Sequence, residues 1–98
     1  MTLTKEKNGS NLTVHLNGEL NTMTAPELSA LLNQELGSVK ALTLDFKECD
    51  YVSSAGLRVL LATFKQMKAA KGSMSLANVG ENFRDVLENT GLDAVFGI

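Results

Sequence analysis

The chain has 98 residues, enough for one domain with its own core and too few for two ordinary ones. Its 44% apolar and 20% charged residues, with a net charge of −2, are the balance of a soluble globular chain. That balance argues against a nucleic-acid partner, since the one basic cluster, Lys65, Lys68 and Lys71, makes no extended cationic face. No apolar run reaches membrane-spanning length, and the N-terminus carries no secretory pattern. Cys49 is the only cysteine, so no internal disulfide can form, which fits a reducing compartment. A cytoplasmic single domain over residues 1–98 is the expectation.

In chain order, "LTKEKNGSNLTVHLNGEL" reads as a hairpin. Asn8-Gly9 is the turn signal, and Leu12, Val14 and Leu16 alternate with Thr13, His15 and Asn17 before Gly18 ends the strand. "TAPELSALLNQELGS" then reads as a helix. Thr24 and Glu27 have capping-box spacing, Pro26 is tolerated in the first turn, and Gly37 marks the stop. Its apolar stripe is Leu28, Leu31, Leu32 and Leu36. A short strand follows at "KALTLDF", then a helix over about residues 55–70 with Leu57, Leu60, Leu61, Phe64 and Met67 at helical spacing. "SMSLANV" is a further strand and "ENFRDVLENTG" a third helix; the tail "DAVFGI" is a candidate for one more short strand.

The order β-β-α-β-α-β-α implies an α/β fold with a mixed sheet of four to five strands. The opening hairpin is antiparallel, and the crossover helices set the later strands parallel. Helices are expected over one face of the sheet, with partial cover on the other left open.

Catalytic constellations are scarce. His15 is the only histidine and falls on the outward phase of a strand, where a solvent-facing residue without a task is the simplest reading. No serine–histidine pair, metal-ligand spacing, Walker motif or dinucleotide fingerprint can be found. Cys49 reads as a small half-buried residue, not a nucleophile. No cofactor and no enzymatic activity are expected.

"DYVSSAGLRVLL" is the unusual stretch, because a glycine in a first helical turn costs about 1 kcal/mol against alanine. Three readings compete for it. Ser54 is the N-cap of the following helix; or the helix start and Gly56 hold an anion; or Ser54 itself receives a phosphate, whose charge the helix dipole favours.

These residues resemble a known family, the anti-sigma factor antagonists built on the STAS domain. "GELNTMTAPEL" is similar to the family motif after the second strand, "LTLDF" to its central strand, and "YVSSAGLRVLL" to its serine loop and helix. "GSMSLANVGENFRDVLENTGLDAVFGI" follows its closing pattern, so the resemblance covers nearly the whole chain. It implies a STAS-like fold and a protein-binding switch. The unphosphorylated form would bind an anti-sigma factor serine kinase and free the sigma factor. Phosphorylation of the loop serine would release the kinase, and a metal-dependent serine phosphatase would reset the switch. The family's target serine lies two residues before the loop glycine, which is Ser54 here, with Ser53 the second choice. Partner contacts are then expected from Asn21, Met23, Thr24, Ser53, Ser54, Gly56 and Arg58, with an apolar plug over the sheet end as the competing role for Met23. The acids Asp45, Glu48 and Asp50 precede the loop and either add to its negative field or serve as loop solvation, Asp45 with backbone hydrogen bonds. The chain departs from the pattern twice: Ser53 stands where many members have aspartate before the target, and Asn21 where the first motif usually has aspartate. The alternative within the fold is an unmodified interaction subunit of a lipid-transport or stress-sensing complex.

Overall fold

A computed structural model describes all of residues 1–98. The elements are β1 (Thr2–Asn8), β2 (Asn11–Asn17), α1 (Ala25–Glu35), a 3-10 turn (Leu36–Ser38), β3 (Ala41–Glu48), α2 (Ser54–Ala69), β4 (Ser73–Ala77), α3 (Glu81–Thr90) and α4 (Leu92–Phe96). The four strands form one sheet in the order β1-β2-β3-β4. β1 and β2 are antiparallel, while β2–β3 and β3–β4 are parallel, as two crossover helices require.

Period-two alternation decides which face of the sheet is covered. Leu12, Leu42 and Met74 stand side by side across β2, β3 and β4, as do Val14, Leu44 and Leu76, and all six are buried. The helices close over this face with Leu28 and Leu32 from α1, Leu60 and Met67 from α2, and Phe83 and Leu87 from α3. Each such side chain contributes about 1.5–3 kcal/mol through burial. The opposite face carries Thr13, Thr43 and Ser75 in one row and Thr4, His15 and Asp45 in the next, and it remains open to water. Partial cover of that face does not occur.

Local chemistry differs from the sequence expectation at several points. The hairpin loop is Gly9-Ser10, because Asn8 still pairs with Asn11; Gly9 takes the first central position at φ +64°, the conformation glycine supplies at no steric cost. α1 ends at Glu35, and its last turn tightens into the 3-10 segment that contains Gly37. The tail is a helix, not a fifth strand. Phe96 anchors α4 by packing edge-on to Phe64 of α2 at 5.5 Å between ring centroids, and Gly91 and Gly97 close its two ends in the left-handed conformation. Cys49 is fully buried in the core, deeper than the half-buried expectation, and burial raises its thiol pKa.

His15 also has a task. Its Nδ1 lies 2.7 Å from Asp45 Oδ2 and its Nε2 3.4 Å from Glu6 Oε1, so one imidazole bridges β1, β2 and β3. Asp45 is tied down further by the amide of Asn78 at 2.8 Å and the backbone N–H of Lys47 at 3.0 Å. These bonds, Asn78's foremost, hold its carboxyl below the usual range, on the open face of the sheet, and include the expected backbone hydrogen bond. The hydrogen bond to Asp45 is the main cause that raises the His15 pKa, with Glu6 adding to it. A raised folded-state pKa stabilises the fold below the unfolded value of about 6.5, and that contribution is lost as pH rises through the folded value. The melting temperature of the protein relative to His15→Gln is therefore expected to be higher at pH 6 than at pH 9, read by thermal melts in matched buffers. An equal difference at both pH values would show that the imidazolium adds no stability.

Candidate functional site

Two loops meet at the C-terminal ends of the parallel strands. The first runs from Gly18 to Thr24, between β2 and α1; the second from Cys49 to Ser53, between β3 and α2. A short backbone ladder joins them. The N–H of Gly18 donates to the carbonyl of Glu48 at 3.0 Å, that of Leu20 to Tyr51 at 2.9 Å, and that of Ser53 to Leu20 at 2.8 Å. Leu20 and Val52 thus pair as an isolated parallel bridge, which extends the β2–β3 register past the sheet.

Gly56 explains itself in this setting. A Cβ built there would lie 2.7 Å from Leu20 Cγ and 3.0 Å from Val52 Cγ1. Leu20 is fully buried and pinned by its own backbone bonds, so it has little freedom to give way. The glycine is buried and lets the start of α2 sit directly on the bridge, a close packing that any side chain there would disturb.

The two serines divide the labour. Ser53, with extended backbone, is the N-cap: its Oγ accepts from the N–H of Gly56 at 3.4 Å and its carbonyl accepts from Leu57 at 2.9 Å. The cap expected of Ser54 therefore falls one residue earlier. Ser54 is the first helical residue, exposed, with its hydroxyl left out of the cap. No acidic residue occupies the first turn of α2, so the positive end of the helix is uncompensated. Arg58, one turn further on, is exposed and makes no salt bridge; it lines a groove between α1 and α2 with Ser29, Asn33 and Gln66.

The first loop is built by Asn21. Its Oδ1 accepts from the N–H groups of Met23 at 2.9 Å and Thr24 at 3.1 Å, an Asx turn that leads into α1. The Thr24 hydroxyl is already engaged, accepting from the Asn21 N–H at 2.8 Å and donating to the Glu19 carbonyl at 2.7 Å. It makes no capping bond, so the T-x-x-E spacing does not form a capping box; Glu27 N–H bonds the Thr24 carbonyl instead. The turn throws Met23 outward to 82% exposure, which excludes the role of apolar plug. Tyr51 projects from the second loop at 50% exposure and lines an apolar groove with Val52, Phe83 and Val86. Sequence reasoning passed over Tyr51 and Leu20: an aromatic ahead of a serine loop and one leucine in a polar loop give no periodic signal.

The structure thus brings Asn21, Met23, Thr24, Ser53, Ser54 and Gly56 to one pole of the molecule, with Arg58 on the adjoining helix. No cluster of histidine, cysteine and carboxylates suited to a metal is present, and no helix is long and apolar enough to cross a membrane.

The sequence profile of the STAS domain matches residues 2–98. The chain belongs to the STAS family. This STAS domain is 33% identical over 99 residues to BtrV of Bordetella bronchiseptica, an alignment covering 100% of this chain and 85% of the relative. It is 30% identical over 93 residues to the anti-sigma-B factor antagonist of Bacillus subtilis, covering 95% of this chain and 85% of that protein. Among solved structures, an anti-sigma factor antagonist from Mycobacterium paratuberculosis superposes with a TM-score of 0.85 at 27% identity, over 97% of this chain and 81% of that one.

Two consequences of the loop geometry are measurable. Gly56→Ala gains about 1 kcal/mol in helix propensity, yet overpacking against Leu20 costs about 1–3 kcal/mol, so net destabilisation is expected from denaturant midpoints. In a Leu20→Ala background the cost of the same substitution is expected to shrink, because only the 3.0 Å approach to Val52 Cγ1 remains. Asn21→Asp keeps the acceptor oxygen and is expected to preserve stability, while Asn21→Ala loses about 1 kcal/mol by the same measurement.

Proposed function

We propose that this STAS domain is an anti-sigma factor antagonist whose docking state is set by one hydroxyl, that of Ser54. In this reading the unphosphorylated domain binds an anti-sigma factor that is also a serine kinase, and so frees a sigma factor. The kinase transfers the γ-phosphoryl group of ATP to Ser54 Oγ, the Ser54 proton is lost, and ADP leaves. The modified domain dissociates until a metal-dependent phosphatase hydrolyses the phosphate. The domain is the substrate in this cycle and supplies no catalytic group.

The observation that carries the reading is the split between the serines: Ser53 caps α2 while the neighbouring Ser54 is exposed and its hydroxyl takes no part in the cap. Ser53 also answers for the family's aspartate at that position, since serine and aspartate oxygens are comparable N-caps. Asn21 replaces a second aspartate while keeping an acceptor oxygen for the loop turn. Relatives that share nearly the whole length are named as anti-sigma factor antagonists, which supports the partner class.

Phosphate at Ser54 brings about −1.5 to −2 charges to the positive end of a helix, which tolerates them. The scaffold therefore stays folded, and the effect falls on whatever docks. Like charge or lost hydration in a close interface costs several kcal/mol, and each 1.4 kcal/mol is about tenfold in affinity.

Incubation with ATP and the serine kinases of the source genome, followed by mass spectrometry of the 51–64 peptide, is expected to place one phosphate on Ser54. Ser54→Asp is expected to weaken kinase binding about a hundredfold relative to Ser54→Ala, with little change in far-UV signal. Equal affinity of the two variants would sink the electrostatic account. An unmodified serine with a lipid co-purifying would favour a transport subunit instead.

A further inference from the structure

We propose that Arg58 is the internal counter-ion of phosphorylated Ser54, so that modification both adds an anion and withdraws a cation from the docking face. The proposal rests on Ser54 as the modified residue and concerns what the phosphate then does.

Residues 54 and 58 are four apart on α2, which places their side chains on neighbouring sites of one helix face, about 5–6 Å apart at Cβ. The acidic group would be the N-terminal member of the pair, the favourable orientation relative to the helix dipole. Arg58 is the only cation in the first two turns of α2; the next, Lys65, is eleven residues from Ser54, about 16 Å along the axis. No acid claims Arg58 beforehand, since every salt bridge of the protein involves Lys5, Lys7 or His15. Both residues are exposed, so neither has to leave the core to meet the other. A guanidinium matches phosphate oxygens with two parallel N–H donors, a geometry a lysine ammonium lacks.

In the unmodified domain the Arg58 side chain lies along the groove between α1 and α2, where its neighbours Ser29, Asn33 and Gln66 are uncharged. Its donors are free there for an acidic group of the partner. Pairing with the phosphate occupies those donors from within the same helix turn, at an effective concentration that an outside carboxylate must outcompete. The cation is thus lost to the partner without any backbone movement.

Phosphoserine can be installed at position 54 during synthesis of the full chain, which makes the test independent of any kinase. Titration by 31P NMR is expected to give a second phosphate pKa about 0.3 unit or more lower in the Arg58 protein than in Arg58→Gln. The difference is expected to shrink in 1 M salt and to be restored only in part by Arg58→Lys. Identical titrations of the arginine and glutamine proteins would overturn the proposal even if a kinase modifies Ser54. A shifted titration with no kinase able to modify Ser54 would retain the pairing and remove the switch.

Discussion

The pole that presents Ser54 depends on one contact, that of Leu20 with the start of α2. Leu20 comes from a loop that is otherwise polar, pairs by backbone with Val52, and fills the space that Gly56 leaves open. Because its N–H and carbonyl are both used in the bridge, the side chain is held at a fixed height above the sheet. The first loop, the second loop and the start of the helix are therefore tied to one another through Leu20.

The same contact separates scaffold from display. Buried positions in α2 follow 56, 60, 63 and 67, and even the buried Thr63 is satisfied internally, donating to the Val59 carbonyl at 2.7 Å. Ser54 and Arg58 fall off that stripe, so they can carry charge without disturbing it. On the far side of the sheet, the carboxylates Asp45 and Glu6 converge on His15. Asp45 and Glu6 are thereby engaged in holding β1, β2 and β3 together, while Glu48, at the end of β3, stays exposed and makes no ion pair.

Much of this was legible from residue order. The period-two run at Leu12, Val14 and Leu16 and the leucine spacing of α1 and α2 report burial directly, since one face of each element meets the core. The tail misled because "DAVFGI" is short and β-rich in composition, while its structure is set by Phe96 reaching Phe64, a contact thirty-two residues away in the chain. His15 misled for a related reason: its partners lie on two other strands, and only the register aligns them. Within the site, serine next to serine could not say which one caps. The answer depends on where the chain turns from extended to helical, and the Leu20–Val52 bridge fixes that point. The T-x-x-E spacing failed likewise, as Asn21 and Glu19 had already engaged the Thr24 hydroxyl.

Because β1 runs against its neighbour, the chain begins beside the end of β2, and the Cα of Met1 sits 3.4 Å from where a Gly18 side chain would start. The first residue therefore opens onto the same pole as the serine loop, while the Gly9-Ser10 turn lies at the opposite one. Any affinity handle or fluorescent fusion spliced ahead of Met1 would crowd the very region an interaction assay seeks to probe. Labels inserted at the hairpin tip would leave that pole clear.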